Sequence, residues 1–313
     1  MKSFIKYLFA TLSFYIAMIS FAKAQQDAMF SQYIFNKMVI NPAFAGSSEW
    51  VIGTMQYRSQ FVGIKGAPVT QTLTGEFPIL LRHMGVGLKV INDKAGVVRQ
   101  SSMVGVYSYH IKVGKGKFSL GLENGVINQA IDFSSLARTD QGDVNLPLGK
   151  ESIIVYDATF GLCYQTKTFY AGVSAFHITQ SKLKFSNALS TLSGISAHLF
   201  NHNYFIIGNV FSLNKEFAVE PSLLAKQVNG APIQVDVNLN AIYQKRLCLG
   251  FSYRTGDAMV ILLKLNATEN VRIGYSYDIT LSKLAGFSQG AHELLVSYGK
   301  ELYARDSSPV PRY

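Results

Sequence analysis

Strict alternation of apolar and polar residues is the feature of this chain that most restricts its fold. In the stretch QVDVNLNAIY (234–243), every odd-numbered residue from Val235 to Tyr243 is apolar. The stretches 154–165, 246–254 and 271–280 repeat the pattern. Successive side chains of a β-strand point to opposite faces of a sheet. Each stretch is therefore predicted to be a strand with one apolar face and one small or polar face.

The same alternation recurs along most of the chain, usually over about ten residues. The predicted strands are 50–60, 68–78, 84–92, 101–113, 117–127, 153–166, 168–178, 203–212, 216–227, 233–244, 246–255, 258–267, 270–280 and 291–300. This number, length and alternation are typical of outer-membrane barrels. We therefore predict an all-β fold, a transmembrane antiparallel β-barrel of about 14 strands over residues 50–300.

The lengths of the predicted connections are an independent indication of a barrel. The two longest gaps, 128–152 and 179–202, are the fifth and seventh connections, whereas the tight turns at Lys167, Asn214–Lys215 and Lys245 are the sixth, eighth and tenth. Bacterial barrels have short periplasmic turns and longer outer loops. The alternative is a soluble β-sandwich, whose outer face would be rich in Lys, Glu and Thr. The polar face here is rich in Gly, Ser, Asn, Asp and Arg, which favours a crowded lumen.

The two ends of the chain are predicted to lie outside the barrel. Lys2 and Lys6 precede an apolar run, and Ala22-Lys23-Ala24 fits the pattern of a signal-peptide cleavage site. Residues 1–24 are therefore predicted to be a secretory signal peptide, with a membrane-anchoring helix as the weaker alternative. No later segment has the run of about 18 apolar residues that a spanning helix needs. The polar tail, 301–313, is predicted to be flexible and periplasmic.

Residues 25–49 precede the first predicted strand and do not alternate cleanly. They combine several aromatic residues with an Asn-Pro pair and a Gly-Ser turn. Such a segment either plugs the barrel or docks a periplasmic protein, and the sequence leaves both alternatives open. Its candidate partner-facing residues are Phe30, Tyr33, Phe35, Asn41 and Pro42.

Charged residues on the polar faces of the predicted strands are candidate lumen-facing residues. They are Lys89, Glu123, Asp236, Arg246, Arg254, Arg272 and Asp278. One interpretation is a mutually neutralising network that rigidifies the barrel. The other is a lining that sets the ion selectivity of a pore. We favour the network, because a plugged or adaptor barrel needs no flux.

Motifs that could carry catalysis or bind a metal are weak in this chain. The stretch GFSQGAH contains G-x-S-x-G around Ser288, but a nucleophile elbow leads into a helix, whereas another strand follows here. His110 and His177 could serve a hydrolase at the barrel rim, yet nothing pairs them with a nucleophile. His198 and His202 have the i, i+4 spacing of metal ligands without a third ligand nearby. We therefore predict a protein that is not an enzyme and has no cofactor.

Charge and cysteine content restrict the partners and the chemistry further. The net charge of +10 is spread along the chain without a Lys/Arg run, which disfavours nucleic acid and favours contact with acidic lipids or proteins. Cys163 and Cys248 could pair in an oxidising compartment. Their predicted strands lie far apart, so two free thiols are expected.

Six stretches carry a family resemblance, and they follow one another in order from residue 25 to the last predicted strand. They are QQDAMFSQYIFNKMVINPAFAGS (25–47), YRSQFVGIKGAPVTQTL (57–73), VINDKAGV (90–97), PSLLAK (221–226), GAPIQVDVN (230–238) and GYSYDITLSKLAGFSQGAHELLVSY (274–298). These stretches resemble the PorP/SprF family, outer-membrane proteins of Bacteroidota that are associated with type IX secretion and gliding.

The resemblance implies an outer-membrane β-barrel that works with the type IX apparatus. Family members are understood to help secrete large surface proteins, including gliding adhesins, or to hold them at the cell surface. The implied partners are a secreted surface protein with a type IX C-terminal domain, the periplasmic and lipoprotein components of the system, and outer-membrane lipid. The family pattern implies no catalytic residues. The alternative function is a passive porin or solute channel.

Overall fold

The structure is a computed structural model that describes residues 27–79, 83–135, 149–183, 185 and 197–302. The predicted signal peptide, 1–24, and most of the predicted tail lie outside these residues. The barrel strands are β1 Trp50–Ser59, β2 Val69–Ile79, β3 Met84–Ala95, β4 Val98–Val113, β5 Gly116–Asp132, β6 Lys150–Gln165, β7 Phe169–Phe176, β8 His202–Asn209, β9 Phe217–Val228, β10 Gln234–Tyr243, β11 Leu247–Arg254, β12 Ala258–Asn266, β13 Val271–Thr280 and β14 Ala291–Glu301. After Val210, β8 continues as the short strand Phe211–Ser212.

The strands close into one antiparallel barrel. Each strand pairs with the next along the chain, and the last strand, β14, pairs with β1 in a register that places Trp50 opposite Glu301 and Ser59 opposite His292. Closure leaves no free edge, so every strand can satisfy its backbone hydrogen bonds inside a membrane. The prediction of a 14-stranded antiparallel barrel is confirmed.

The connections divide the barrel into two unlike ends. Counting the β1–β2 connection as the first, every even-numbered connection is short, and the longest of them are 80–83, 213–216 and 267–270. The longest odd-numbered connections are 60–68, 133–149, 177–201 and 281–290. We call the two ends the turn end and the loop end. Large parts of the two longest loops, 136–148 and 186–196, lie outside the described residues.

The outer face of the barrel is apolar because alternation sends every second side chain outward. On β11, Leu249, Phe251 and Tyr253 are exposed, whereas Cys248 and Ser252 are buried. A continuous exposed apolar surface of this kind is stable only against lipid. No helix in the described part of the chain is long and apolar enough to cross a membrane.

A charge on the lipid-facing side of β11 is expected to destabilise the barrel. Leu249→Arg should lower the free energy of unfolding by about 2–4 kcal/mol, because the guanidinium loses its hydration in the hydrocarbon layer. The matched change Leu249→Met keeps the volume and should cost less than about 1.5 kcal/mol. Urea unfolding in phospholipid vesicles measures both variants. Equal losses would contradict the assignment of this face to lipid.

Part of the β7–β8 connection folds inward at the loop end. Lys182–Leu183 pairs with Ala197–His198 in a small two-stranded ribbon. Leu183, Phe185 and Leu199 pack with Ile127 of β5 in a buried apolar cluster. The described part of this loop therefore covers the inner wall of β5 instead of extending away from the barrel.

Candidate functional site: the barrel lumen and the segment inside it

Residues 27–49, here called the lumen segment, run inside the barrel from the loop end to the turn end. The Ser31 hydroxyl donates to Asp278 of β13 at 2.7 Å, close to the loop end. The Gly46 N–H donates to Glu76 of β2 at 2.9 Å, close to the turn end. The chain then enters β1 at Trp50. The barrel is therefore filled by its own N-terminal residues.

Two short 3-10 turns shape the middle of the lumen segment. They span Lys37–Val39 and Pro42–Phe44. Asn41 is extended, as expected before a proline, and its side-chain oxygen accepts from the Ala43 N–H at 2.9 Å. Proline suits the first position of such a turn because its missing N–H would be unpaired there. The Asn-Pro pair of the sequence thus produces a compact turn that fits within the lumen.

Asn41 also ties this turn to the barrel wall. Its side-chain amide donates to the carbonyl oxygens of Leu162 on β6 and Val173 on β7, both at 3.0 Å. Farther along the segment, the Ala45 carbonyl accepts from the Ser108 hydroxyl of β4 at 2.6 Å. Asn36 donates to Gln56 on β1 at 2.8 Å. Contacts on several sides fix the segment against the wall.

Inward-facing glycines make room for the lumen segment. A Cβ added at Gly121 would lie closer than 3.0 Å to the backbone of Pro42 and Ala43, and one added at Gly161 would reach the Asn41 side chain. Real Cβ atoms do not approach so closely, so these wall positions need glycine. Gly85 and Gly274 meet the segment in the same way, at Ala45 and Gln32. The small residues of the inner face thus serve close packing.

A buried ionic network holds the loop-end half of the segment. Arg58 contacts Asp278 at 2.8 Å and Glu293 at 3.1 Å, and the carboxylate of Glu293 accepts from the Ser31 N–H at 2.8 Å. Arg254 lies 3.3 Å from Asp278. Because these charges are buried, each needs its partners to compensate for lost hydration. The segment supplies part of that compensation through Ser31.

A separate buried ion pair, Lys89–Glu123, joins β3 to β5 at 2.7 Å. The Lys89 ammonium is also 4.8 Å from the centre of the Phe176 ring. Both charged residues line a cavity of about 80 Å³ beside Met29 and Phe30 of the lumen segment. A cavity of this size holds a few water molecules.

His177, the first residue after β7, joins the start of the lumen segment to the wall. Its Nε2 lies 2.9 Å from Asp27 Oδ2, and its Nδ1 lies 2.9 Å from Asp157 Oδ2. Burial alone would lower the pKa of His177, but the two carboxylates raise it to about 10. The His177 ring therefore lies between two carboxylates that favour its protonated form.

The turn end opens into a basic vestibule of about 800 Å³. Its lining includes Lys112, Lys115, Lys117 and Lys167. The Lys117 ammonium donates to the carbonyl of Ser47, the last part of the lumen segment. The vestibule therefore presents a positive surface on the side of the short turns.

The candidate lumen-facing residues do not all lie in the lumen. Lys89, Glu123, Arg254 and Asp278 are buried on the inner wall and belong to the two ionic groups described above. Asp236 is buried as well and lies 3.0 Å from Arg254.

The two remaining candidates, Arg272 and Arg246, lie nearer the turn end. Arg272 is half-buried, 5.6 Å from the Trp50 ring. The structure differs at Arg246, which is exposed in the turn between β10 and β11, where its N–H donates to the Tyr243 carbonyl. The alternation of β11 does not extend into that turn.

The candidate partner-facing residues are placed inside the barrel. Tyr33, Asn41 and Pro42 are buried, and the Tyr33 hydroxyl accepts from Asn238 of β10 at 2.6 Å. Phe30 and Phe35 are partly buried against the same core. These residues therefore pack inside the barrel, with Tyr33, Asn41 and Pro42 fully covered there.

Arg58 and Glu293 are the main lumen residues absent from the sequence-based candidates. Arg58 continues the inner face of β1 by steps of two after Thr54 and Gln56, and Glu293 shares the inner face of β14 with Leu295 and Ser297. That period would have identified them as inward charges. Asp157 lies on the polar face of the alternating stretch 154–165 and carried the same signal, whereas Asp27 precedes the strands and carried none.

The remaining motifs have structural surroundings that explain them. The Ser288 hydroxyl accepts from the Gly290 N–H at 3.0 Å within a turn, and His292 faces outward with a ring nitrogen 2.6 Å from the Tyr275 hydroxyl. Cys163 and Cys248 are both free and buried. His198 lies in the small ribbon opposite Lys182. These contacts account for Ser288 as a turn residue.

Comparisons with known proteins agree with this architecture. Residues 22–298 match the family model described as type IX secretion system membrane protein PorP/SprF. No curated protein sequence matches the chain. The Ralstonia pickettii toluene transporter TbuX is similar in structure, with a TM-score of 0.52, 10% identity, and coverage of 85% of this chain and 93% of that chain. The CymD monoaromatic hydrocarbon channel is similar with a TM-score of 0.51, 13% identity, and coverage of 88% and 94%. At such identities the likeness shows the barrel fold alone.

Proposed function

The chain belongs to the PorP/SprF family of type IX secretion system membrane proteins, and we propose that it acts in the outer membrane as a closed, non-enzymatic adaptor. It binds the C-terminal domain of a large secreted surface protein, an adhesin, and anchors that protein outside or assists its export. Periplasmic and lipoprotein components of the same system are its further partners. The observation that carries this proposal is the lumen segment, which occupies the space that a channel would need.

The contacts of the lumen segment support a closed barrel. A porin keeps a water-filled path through a polar interior. Here the inner side chains of Thr54, Gln56 and Thr74 are buried, and Asn36 of the lumen segment bonds to Gln56 and Thr74. The cavity of about 80 Å³ in the loop half is far smaller than a solute path. An adaptor tolerates such filling because nothing has to cross it.

A solute channel is the second candidate, because TbuX is a toluene transporter and CymD a hydrocarbon channel. That function would require the lumen segment to move aside. The segment is fixed at one end by hydrogen bonds from Ser31 to the buried carboxylates of Asp278 and Glu293, and in the middle by close contacts with wall glycines. The adaptor is therefore the better supported function.

The loop end offers a preformed surface for the secreted partner. The 60–68 and 281–290 connections hydrogen-bond to each other, with Val62 N–H donating to Gly290 at 2.8 Å and Gln289 N–H donating to Val62 at 2.7 Å. Phe287 projects from this pair of loops with 77% of its surface exposed. An exposed aromatic side chain on a fixed loop is a typical anchor of a protein interface. At the other end, the basic vestibule suits an acidic segment of a periplasmic partner.

The proposal is tested by purifying the tagged protein from its native outer membrane in mild detergent and identifying co-purified proteins by mass spectrometry. Phe287→Ser is expected to lower recovery of the secreted surface protein about fivefold or more, because it removes an apolar anchor. The control Val113→Ser removes an exposed apolar side chain at the turn end and should leave recovery unchanged. Recovery of the barrel without any secreted surface protein, under conditions that preserve a type IX complex, would contradict the adaptor function.

A further inference from the structure

His202, the first residue of β8, adds a third possible metal ligand to the pair formed by Asp27 and His177. His202 Nδ1 lies 3.5 Å from Asp27 Oδ2, and the Asp27 N–H donates to His202 Nε2 at 3.2 Å. The ligand atoms of these three side chains all lie within 4.8 Å of one another. Two imidazoles and a carboxylate, with water in the fourth position, are a common donor set for Zn²⁺.

The surroundings of both rings match the outer shell of a metal site. His177 Nδ1 is 2.9 Å from the Asp157 carboxylate, and His202 Nδ1 donates to the Phe200 carbonyl at 2.9 Å. In metal sites, the second nitrogen of a ligating histidine donates to a carboxylate or a carbonyl, which fixes the tautomer and the ring orientation. His177 therefore presents Nε2 to the Asp27 carboxylate, and the nitrogen of His202 with a lone pair is Nε2, which accepts from the Asp27 N–H in this structure.

The histidines are held by the barrel wall. His202 pairs with Phe176 across β7 and β8, and His177 follows Phe176 directly. The two ring centres are 5.6 Å apart and both side chains are buried. Lys226 lines the adjoining cavity, with its ammonium 5.8 Å from the centre of the Tyr204 ring. An ion pair needs only one of these histidines, whereas their convergence on one carboxylate suits a metal ion.

We infer that Asp27, His177 and His202 bind a divalent transition-metal ion, with Zn²⁺ as the best match, and that the ion fastens the lumen segment to β7 and β8. The ion replaces the proton on His177 Nε2, which passes to solvent, and takes the lone pair of His202 Nε2 in place of the hydrogen bond from the Asp27 N–H. His177 Nε2 and Asp27 Oδ2 need to separate from 2.9 Å to about 3.3 Å to coordinate one ion at bonds of about 2.0–2.1 Å. A water molecule from the adjoining cavity completes the coordination. This site is independent of the proposed binding of a surface protein.

Zinc content and affinity test the inference directly. The full-length protein, carrying a tag without histidine and purified from its native outer membrane, is stripped with chelator, equilibrated with ZnCl₂ and analysed for zinc by mass spectrometry. About one zinc per barrel is expected, and Asp27→Asn and His202→Gln should each weaken the affinity at least about tenfold. Co²⁺ in place of Zn²⁺ should give a visible absorption band that both variants lose. Heat-modifiable mobility on gels verifies that each variant is a folded barrel.

The matched control is His198→Gln. His198 lies four residues before His202, in the loop that leads into β8, so this variant should bind zinc like the parent protein. Asp157→Asn tests the orienting role of that carboxylate, and weaker zinc binding with unchanged stoichiometry is expected. Asp27→Asn alters no residue of the barrel wall, so it remains informative if a histidine variant fails to fold. Absence of zinc from the parent protein would overturn the inference. Equal affinity in the parent protein, Asp27→Asn and His202→Gln would overturn it as well.

Discussion

Arg58→Ala is expected to lower the free energy of unfolding of the barrel by about 3–5 kcal/mol, because it takes the cation away from buried Glu293 and leaves Asp278 with Arg254 alone. Arg58 lies 2.8 Å from Asp278 and 3.1 Å from Glu293, and all three side chains are buried. Removing one member of a buried charged group exposes the others to the full cost of lost hydration. The same guanidinium donates to the Ser31 hydroxyl at 2.9 Å, so the lumen segment should loosen at its loop-end half.

Urea unfolding in phospholipid vesicles measures this loss, and Arg246→Ala is the matched control. Arg246 is exposed in a turn, so its removal should change the free energy of unfolding by less than about 0.5 kcal/mol. Arg58→Lys keeps the charge, but an ammonium cannot reach both carboxylates as the planar guanidinium does. Its loss in free energy of unfolding should therefore fall between those of the two alanine variants. Similar losses in free energy of unfolding for Arg58→Ala and Arg246→Ala would show that the buried network does not stabilise the barrel.

Gly121→Ala is expected to displace the middle of the lumen segment. The added Cβ would lie closer than 3.0 Å to the backbone of Pro42 and Ala43, and backbone atoms cannot rotate away as a side chain can. Overpacking of this kind typically costs about 1–3 kcal/mol. Because the segment is the only partner in that contact that is not part of the sheet, it should move before the wall does. Amide hydrogen exchange in residues 38–46 should therefore accelerate at least about tenfold.

Gly105→Ala is the control for this change. Gly105 is exposed on the outer face of β4, and its added Cβ would meet nothing nearer than the Asn124 carbonyl oxygen at 3.9 Å. It should leave both the free energy of unfolding and the exchange of residues 38–46 almost unchanged. If the amides of residues 38–46 exchange at similar rates in the two glycine variants, the wall and the segment are not in the close contact described above.

The barrel wall could be predicted from sequence because its physical cause is local. Each strand meets lipid on one side and the lumen on the other, so a period of two is imposed on every residue, as the alternation of Leu249, Phe251 and Tyr253 shows. The same rule was carried too far at Arg246, one residue before β11 begins at Leu247. Residues in a turn do not alternate between lipid and lumen, so the alternation could not predict the direction of the Arg246 side chain.

The path of the lumen segment could not be predicted in the same way. Asn41 reaches carbonyl groups of Leu162 and Val173, more than a hundred positions away, and such contacts leave no period in the sequence. The glycines on the inner face were visible, but Gly121 and Gly161 could equally have belonged to an open polar lumen. Likewise, His202 was paired with His198 by spacing, whereas the closed sheet brings it to His177 and Asp27. Long-range pairing of the strands decides these neighbours.

The lumen segment is thus held by two different kinds of interaction along its length. Near the loop end, charge holds it through Arg58, Glu293 and Ser31. In the middle, close packing holds the segment, because Gly121 and Gly161 have no side chain and so leave room for Ala43 and Asn41 against the wall. The variants Arg58→Ala and Gly121→Ala test these two interactions separately, because their sites share no contact and their effects should add.

The conductance of the purified barrel in a planar lipid bilayer tests the central claim most directly. The claim is that residues 27–49 close the lumen, so the parent protein should insert without steady ion current, and Gly121→Ala should conduct or flicker while Gly105→Ala stays closed. A steady open-channel current from the parent protein, in preparations whose heat-modifiable mobility shows a folded barrel, would contradict the closed barrel and favour a solute channel.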